Sequence, residues 1–477
     1  MSHDLALARL ITMGKSLVVV GAGFAGVRAA LAAAEVAARA GGEDRIEITV
    51  VSPEPVMGIR PRFYEAKLDG VLVPLDQLLP PAGIRFRQAS VEELDPERRT
   101  LHLAGSEPGL RFDQLVLCAG SRLLLPDAPD CQVHAVDSFE QAKRLGRAIS
   151  ELKTDEAARF KVSVVGAGFS GLEVASELAG VLRQTARDVG RDPDSATVTL
   201  IERGDTVAPA FGPRARVIID EALDELGVRC LTGQEVHSIR ASGVKLADGR
   251  EIEGDLTVWA GGPTASRLAT QLAQTLDMWG RVDVDRGLAT NVDGIWAAGD
   301  VARVRTDNEH HAVMSCQHAM PQGSQAGANA ARALIGKAPA HYEQQLYLTC
   351  LDLGDWGALL TQGWERDHVL ASGRDGKAFK HFMNRSVIYP PASGELKDLL
   401  RYARPQNIGR ASAWAQRKAL SVPLARRVIT GTAKDAAQAF AHVPDGEAIE
   451  RSRDHEQGST QVQTRPPSPN ENSTHGV

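Results

Sequence analysis

The sequence predicts an α/β protein built on two doubly wound parallel sheets, and two copies of one glycine signature carry that prediction. The first reads Val18-Val19-Val20-Gly21-Ala22-Gly23-Phe24-Ala25-Gly26, the second Val164-Val165-Gly166-Ala167-Gly168-Phe169-Ser170-Gly171. Each is a short apolar strand that runs into Gly-x-Gly-x-x-Gly and then an Ala/Leu/Val-rich helical stretch. Each is followed by a second apolar strand, Ile46–Val51 in the first unit and Val198–Ile201 in the second, which completes a βαβ pattern.

The glycines have separate tasks in such a turn. The first permits the tight bend, the second lets backbone N–H groups approach a pyrophosphate, and the third allows close packing of helix on strand. The diphosphate then lies at a helix N-terminus, where unpaired N–H groups and the helix dipole favour negative charge. One copy alone is also consistent with a glycine turn that closes a ligand-free α/β unit. Two in one chain point to two bound dinucleotides and to hydride passing between them.

At 477 residues the chain has room for two or three domains with full cores. It is 43% apolar and 24% charged with a net charge of −6, so bulk charge gives no reason to expect nucleic acid. Cys118, Cys131, Cys230, Cys316 and Cys350 are scattered without a C-x-x-C, and the N-terminus has no secretory apolar region. That usage fits a reducing, cytoplasmic compartment. The apolar helix after Gly26 is interrupted by Arg28, Glu35 and Arg39, which argues against a membrane span.

Along the chain, residues 1–12 read as a short leader of no clear role. Ile84–Ala89, Thr100–Leu103 and Arg111–Leu117 read as short strands of an antiparallel insertion. Arg187–Ser195 is a polar surface extension, and Asp248-Gly249 marks a hairpin between Val244–Leu246 and Leu256–Trp259. A strand at Gly294–Ala298 leads into Gly299-Asp300. Beyond Pro339 the periodicity changes. Residues 395–434 hold nine Lys/Arg against Glu395 and Asp398, interspersed with Trp414, Leu420 and Val428. Such a segment either lies on an anionic membrane surface or forms a helical pair at a homodimer interface. From Pro444 the composition is that of a disordered tail.

With these segments placed, residues 15–365 resemble the two-dinucleotide flavoprotein family that includes type II NADH dehydrogenases, sulfide:quinone reductases and pyridine-nucleotide disulfide reductases. Gly21, Gly23, Phe24, Ala25 and Gly26 match its FAD turn, and Gly166, Gly168, Phe169, Ser170 and Gly171 its NAD(P)H turn. Phe112–Ser121, with Ala119-Gly120, and Thr257–Gly262 resemble its two return strands, and Gly299-Asp300 the late element whose Asp binds the FAD ribityl chain. The resemblance implies two Rossmann-like domains, for FAD and NAD(P)H, with a C-terminal α+β region. In chain order these are FAD-binding residues 13–130, NAD(P)H-binding residues 131–285, the rest of the FAD domain at 286–338, an interface or membrane-association region at 339–443 and the tail at 444–477.

A carboxylate ending the second strand of each unit normally takes the ribose hydroxyls. Glu202 does so in the second unit and favours NADH, with NADPH left open by the adjacent Arg203. The first unit has Ser52 there, and Glu54 is either the replacement contact or a surface turn acid. Arg60–Glu65 looks like the loop that covers the flavin. Glu173 matches a family glutamate near flavin and nicotinamide, where it orients the carboxamide or relays a proton. The alternative is a first-turn acid stabilised by the helix dipole.

The acceptor side is less regular. No cysteine pair has the C-x-x-x-x-C spacing of a dithiol relay. Tyr347–Gly354 resembles a sulfide:quinone reductase segment carrying one reactive cysteine, yet its partner position after Gly168 holds Phe169-Ser170. Cys316 and Cys350 are either a redox pair or two ordinary thiols. Gln317 and Ala319 match the quinone-pocket signature of type II dehydrogenases, whereas Pro321 replaces its second glutamine and Leu353 its lysine. His318 is the residue type here that titrates near neutral pH, for proton delivery or for plain packing. The reading is an FAD-dependent NADH dehydrogenase passing electrons to a quinone, without metals and peripheral to the cytoplasmic face of the membrane. The alternatives are a soluble NAD(P)H oxidoreductase for another small molecule, a protein or oxygen, a sulfide:quinone reductase relative, or a flavin redox sensor.

Overall fold

The computed structural model describes residues 14–40, 46–272 and 275–405. The leader, the basic segment beyond residue 405 and the polar tail lie outside the described residues. Leu17 to Val20 follow one another without a polar residue, the pattern of a strand covered on both faces, and they form the buried part of β1 (Lys15–Val20). The chain turns through Gly21 into the alanine-rich α1 (Phe24–Ala40) and returns as β2 (Ile46–Ser52), parallel to β1. β3 (Arg85–Gln88) adds in parallel outside β2. Val91–Asp95, Thr100–Leu103 and Ser106–Arg111 then form a three-stranded antiparallel excursion. β4 (Gln114–Leu117) pairs in parallel with the free side of β1.

The second unit opens with β5 (Val133–His134) and α2 (Phe139–Glu151), which begins at a Ser138/Gln141 capping box. It continues through β6 (Lys161–Val165), α3 (Phe169–Asp188), β7 (Thr197–Ile201), α4 (Pro213–Glu225), β8 (Val228–Leu231) and β9 (Leu256–Trp259). These strands make a parallel sheet in the order β5-β9-β6-β7-β8. Only afterwards does β10 (Ile295–Ala297) close the first sheet, whose order is β10-β4-β1-β2-β3. The two connecting segments, Ser121–Leu123 and Pro263–Ala265, pair with each other antiparallel. In both sheets the strand order reverses at the central strand, β1 or β6, so a crevice opens at its carboxyl end. Gly21 and Gly166 sit there.

Three expectations need correction. Arg85–Gln88 and Gln114–Leu117 are parallel strands of the first sheet, and of the three segments assigned to an antiparallel insertion only Thr100–Leu103 belongs to one. The Asp248-Gly249 turn does close a hairpin, with Arg250 N–H donating to Asp248 (3.0 Å), but it joins Gly243–Leu246 to Glu251–Glu253. Leu256–Trp259 instead pairs in parallel with β6. Alternation reports which faces are buried, and it is silent on the direction of the neighbouring strand.

α5 (Cys316–Leu334) packs on α1 at very short range. A Cβ on Gly323 would lie 2.1 Å from the Ala25 carbonyl oxygen, and one on Gly327 2.0 Å from that of Ala29. This contact seats the first turn of α5 beside the first glycine turn. β11 (Leu348–Leu353), β12 (Gly357–Gln362) and β13 (His368–Ala371) form an antiparallel sheet. Its Leu351, Leu353 and Leu359 share one core with Leu172 and Leu178 of α3. α6 (Gly373–Phe382) covers that sheet. α7 (Leu396–Tyr402) lies against α1, where the Arg28 guanidinium sits 4.1 Å from the Tyr402 ring centre and Arg404 pairs with Glu35 at 3.0 Å. Among the described residues no helix is long and apolar enough to cross a membrane.

Candidate active site

The two glycine turns have one geometry. Gly21 has φ +101° and its N–H donates to the Val51 carbonyl at 2.8 Å, while a Cβ on Gly26 would lie 1.9 Å from the Gly21 carbonyl oxygen. First and third positions are therefore closed to any larger residue. Around Gly23 a Cβ would meet no heavy atom within 4 Å, so the middle glycine faces open space in front of α1. The second turn repeats this with Gly166 at φ +105°, a Gly171 Cβ 1.8 Å from the Gly166 carbonyl oxygen, and open space at Gly168. The first intrahelical bonds are Val27 N–H to Gly23 and Leu172 N–H to Gly168, at 3.0 Å each. The N–H groups ahead of them are the orphans of a helix start. An uncluttered glycine before orphan N–H groups fits a diphosphate in both places.

Glu202 follows β7, and its carboxylate is fixed. One oxygen accepts from Ala167 N–H and the other from Gly204 N–H, both at 2.8 Å. It thus stands against the second glycine turn. In the first unit Ser52 is buried at the end of β2, and Glu54 is exposed beyond it. Phe24, Ala25, Phe169 and Ser170 begin α1 and α3, while Ala119-Gly120 and Gly262 follow β4 and β9.

Gly299 and Asp300 form a 3-10 turn after β10, held by Gly299 N–H donating to Gln322 at 2.8 Å. Asp300 accepts from the Ser121 hydroxyl at 2.7 Å and lies 3.5 Å from Arg60. Arg60 also donates to Ser121 (2.9 Å) and pairs with Asp137. Ser121 and Asp137 were not among the sequence candidates. Ser121 closes the Phe112–Ser121 motif, whereas nothing in the local sequence marks Asp137, which reaches the cluster through Arg60.

Pro321 lacks the N–H that would bond the Gln317 carbonyl one turn back. The Gln344 side chain donates to that carbonyl instead, at 3.4 Å. The Gln317 amide itself lies against Leu348, its nitrogen donating to the Leu348 carbonyl (2.7 Å) and its oxygen accepting from the N–H (3.3 Å) in the orientation that satisfies both. His318 is buried, bonded through Nδ1 to the Ser315 hydroxyl (3.0 Å) and flanked by Tyr347 and Trp364 at 5.3 and 5.7 Å between ring centres. Burial pushes its imidazole down to about 3, so the ring is neutral and does not titrate near neutral pH as its residue type alone suggests.

Glu173, on α3, is buried and accepts from Lys380 Nζ of α6 at 2.7 Å and from Asp352 N–H at 3.1 Å. Lys380 also donates to the Cys350 carbonyl at 3.0 Å. Burial raises the Glu173 carboxyl to about 7, an effect that the ammonium of Lys380 moderates. Burial alone would pull Lys380 down, but Glu173 and the other acidic groups around it hold it above the ordinary lysine range. Asp352 accepts from Lys377 (2.6 Å), Gly354 N–H (2.9 Å) and the Tyr64 hydroxyl (2.9 Å). Leu353 itself lies in the apolar core, and α6 brings two ammonium groups, Lys377 and Lys380, to Asp352 and Glu173. Sequence reasoning missed both. The only signal was a lysine between Phe379 and Phe382 in an amphipathic stretch.

Cys316 and Cys350 are free, and burial pushes their thiols up to about 11 and about 12. They are held as thiols at neutral pH, the less nucleophilic form.

The pyridine nucleotide-disulphide oxidoreductase family matches residues 15–323. The chain belongs to that family. As a member it is an NAD(P)H-dependent oxidoreductase, with the parallel α/β sheets described above. This oxidoreductase is 38% identical over 400 residues to an NADH dehydrogenase-like protein of Mycobacterium tuberculosis, covering 82% of this chain and 98% of that one. It is 27% identical over 359 residues to a demethylphylloquinone reductase of Synechocystis, covering 72% and 85%. Its fold is similar to that of NDH2 from Plasmodium falciparum in complex with NADH, with a TM-score of 0.66, 12% identity and coverage of 82% and 98%.

Proposed function

We propose that this oxidoreductase is a type II-like NADH dehydrogenase that holds FAD at the first glycine turn and NADH at the second, and delivers electrons to a quinone. Bound FAD supplies the two-electron chemistry between nucleotide and acceptor. The chain's own residues bind, orient and move protons. Gly23 and the start of α1 take the FAD diphosphate, Asp300 with Arg60 and Ser121 takes its polyol, and Gly168 with α3 takes the NADH diphosphate. Glu202 accepts from the ribose hydroxyls and repels a 2′-phosphate.

The observation that carries the reading is the buried Glu173–Lys380 pair at the start of α3, beside the second cradle. A quinone takes up two protons with two electrons, and a hydride brings one hydrogen nucleus. The second comes from solvent, relayed by a protein group that is reprotonated in each turnover. A carboxyl poised near 7 is matched to that task, and Lys380 stabilises the carboxylate left behind. The relatives named for NADH and for a phylloquinone-type acceptor support the same assignment. Steady-state NADH turnover with menadione or ubiquinone, set against ferricyanide, tests it. Quinone reduction that depends on Glu173 is expected, and ferricyanide-only turnover would contradict it.

Glu202→Ala gives a separate prediction. Loss of a hydrogen bond to a charged group costs about 1.5–3 kcal/mol, so kcat/KM for NADH falls roughly ten- to a hundredfold. NADPH, which never gained that contact, is unaffected or improved. The ratio of the two kcat/KM values is the readout.

A further inference from the structure

The turn that joins β12 to β13 sets a guanidinium, that of Arg366, close to the second glycine turn. Residues on both sides of Arg366 are tied to the segment that opens α4. Gly212 N–H donates to the Glu365 carbonyl at 2.9 Å, and the Arg214 and Ala215 N–H groups donate to the Asp367 carboxylate at 2.7 and 3.2 Å. Gly363 N–H donates to the Tyr347 carbonyl at 2.9 Å. Arg366 itself is held at φ +49°, in the left-handed region that residues other than glycine seldom adopt. Such conformations persist where surrounding contacts fix them, and they gather at ligand clamps.

The side chain is fixed as firmly as its backbone. Its guanidinium lies against two rings, 5.6 Å from the Phe211 centre and 5.4 Å from the Tyr347 centre. Aromatic faces orient a guanidinium but leave its charge in place. Among the described residues no carboxylate pairs with it, and its buried Nε has no hydrogen-bond partner. A buried donor without an acceptor is unfavourable, and an arriving oxygen anion removes that penalty.

Phe211 connects this charge to the nucleotide cradle. Its ring stacks on that of Phe169, the first residue of α3, at 6.3 Å between centres. Three residues before Phe211, Ala208 N–H donates to the Ala167 carbonyl inside the glycine turn at 3.3 Å. Phe169 in turn has Lys380 Nζ, the partner of Glu173, 5.7 Å from its ring centre. Arg366 therefore borders the course from the open space at Gly168 to Glu173. The family match ends at residue 323, so this arginine comes from a part of the chain that the shared nucleotide-binding fold does not prescribe.

Resting on the placement of NADH at the second glycine turn, we propose that Arg366 binds the NADH diphosphate, its planar fork pairing with phosphate oxygens. Full-length, flavin-loaded enzyme is mixed anaerobically with NADH or with N-benzyl dihydronicotinamide, a hydride donor without phosphate, and flavin bleaching is followed. Arg366→Met keeps an apolar stem against the two rings and removes the charge. Arg366→Lys keeps the charge and loses the fork. Both leave a non-glycine residue at the left-handed position, so neither changes what the backbone must adopt.

Loss of a hydrogen bond to a charged group weakens binding roughly ten- to a hundredfold, and Arg366→Met raises the half-saturating NADH concentration by that factor. The limiting bleaching rate stays near wild type, as for a contact made equally in ground and transition states. Arg366→Lys recovers part of the loss, and bleaching by the phosphate-free donor is unchanged in both. Equal losses for the two donors would show that Arg366 only props the Phe169–Phe211 stack. Unweakened NADH would show that it touches no phosphate. Either result overturns the proposal. Calorimetric titration with NAD+ separates that failure from failure of the placement. Binding abolished in Gly168→Val and weakened in Arg366→Met is the expected result. Binding abolished in Gly168→Val but at wild-type strength in Arg366→Met refutes the arginine contact alone. No binding to wild type, or binding untouched by Gly168→Val, refutes the placement and the contact with it.

Discussion

Replacing Glu173 with glutamine is expected to lower quinone turnover by roughly a hundred- to ten-thousandfold, the range for a lost general acid–base group. NADH-dependent bleaching of the flavin in single-turnover mixing should change far less, because Glu173 acts on the proton and not on the hydride. The pH dependence follows from the same group. Its carboxyl titrates at about 7, so the proton-donor form is lost and wild-type quinone turnover falls as pH rises through that value. In Glu173→Gln the break disappears. In Lys380→Met the carboxyl loses the ammonium that holds it down, and the break moves up.

Stability responds in the matching sense. The folded-state carboxyl binds its proton more tightly than an unfolded one, so the stabilisation is complete below the ordinary carboxylate range and is lost as pH rises through about 7. Thermal midpoints of wild type and Glu173→Gln at pH 5 and pH 8 should therefore diverge in favour of the variant at the higher pH.

The second large effect is expected at the first glycine turn. Gly23→Val should yield a folded protein without flavin, since a Cβ there meets no protein atom and instead occupies the space in front of the α1 N-terminus. Gly26→Ala should behave differently, because its Cβ would lie 1.9 Å from a backbone oxygen and the turn itself must shift. Overpacking of that kind costs about 1–3 kcal/mol or more, against a total stability of only about 5–15. Flavin absorbance and circular dichroism of the two purified variants separate the effects. A yellow Gly23→Val protein with the wild-type flavin content would remove the FAD assignment from that turn.

What was legible in the sequence was what a local pattern encodes. Val18 to Val20 before Gly21, and Val164-Val165 before Gly166, mark buried parallel strands feeding tight turns, and the sheets are built around them. Gln114–Leu117 was harder, because its strand partner is β1, nearly a hundred residues earlier. A short alternating segment does not carry the direction of so distant a neighbour. The site divides along the same line. Glu173 and Asp300 stand in recognisable motifs, whereas Lys380 reaches Glu173 from α6, two hundred and seven positions away. His318 shows the remaining limit: its identity suggested a titrating group, and its burial against Tyr347 and Trp364 makes it a neutral one.

The most direct measurement is anaerobic stopped-flow absorbance of the purified full chain, mixed first with NADH and then with a quinone. Bound flavin that bleaches with NADH and regains its colour with quinone, the second phase slowing above pH 7 in wild type and not in Glu173→Gln, is the expected result. A chain without flavin, or a flavin that NADH reduces but quinone does not reoxidise, would contradict it.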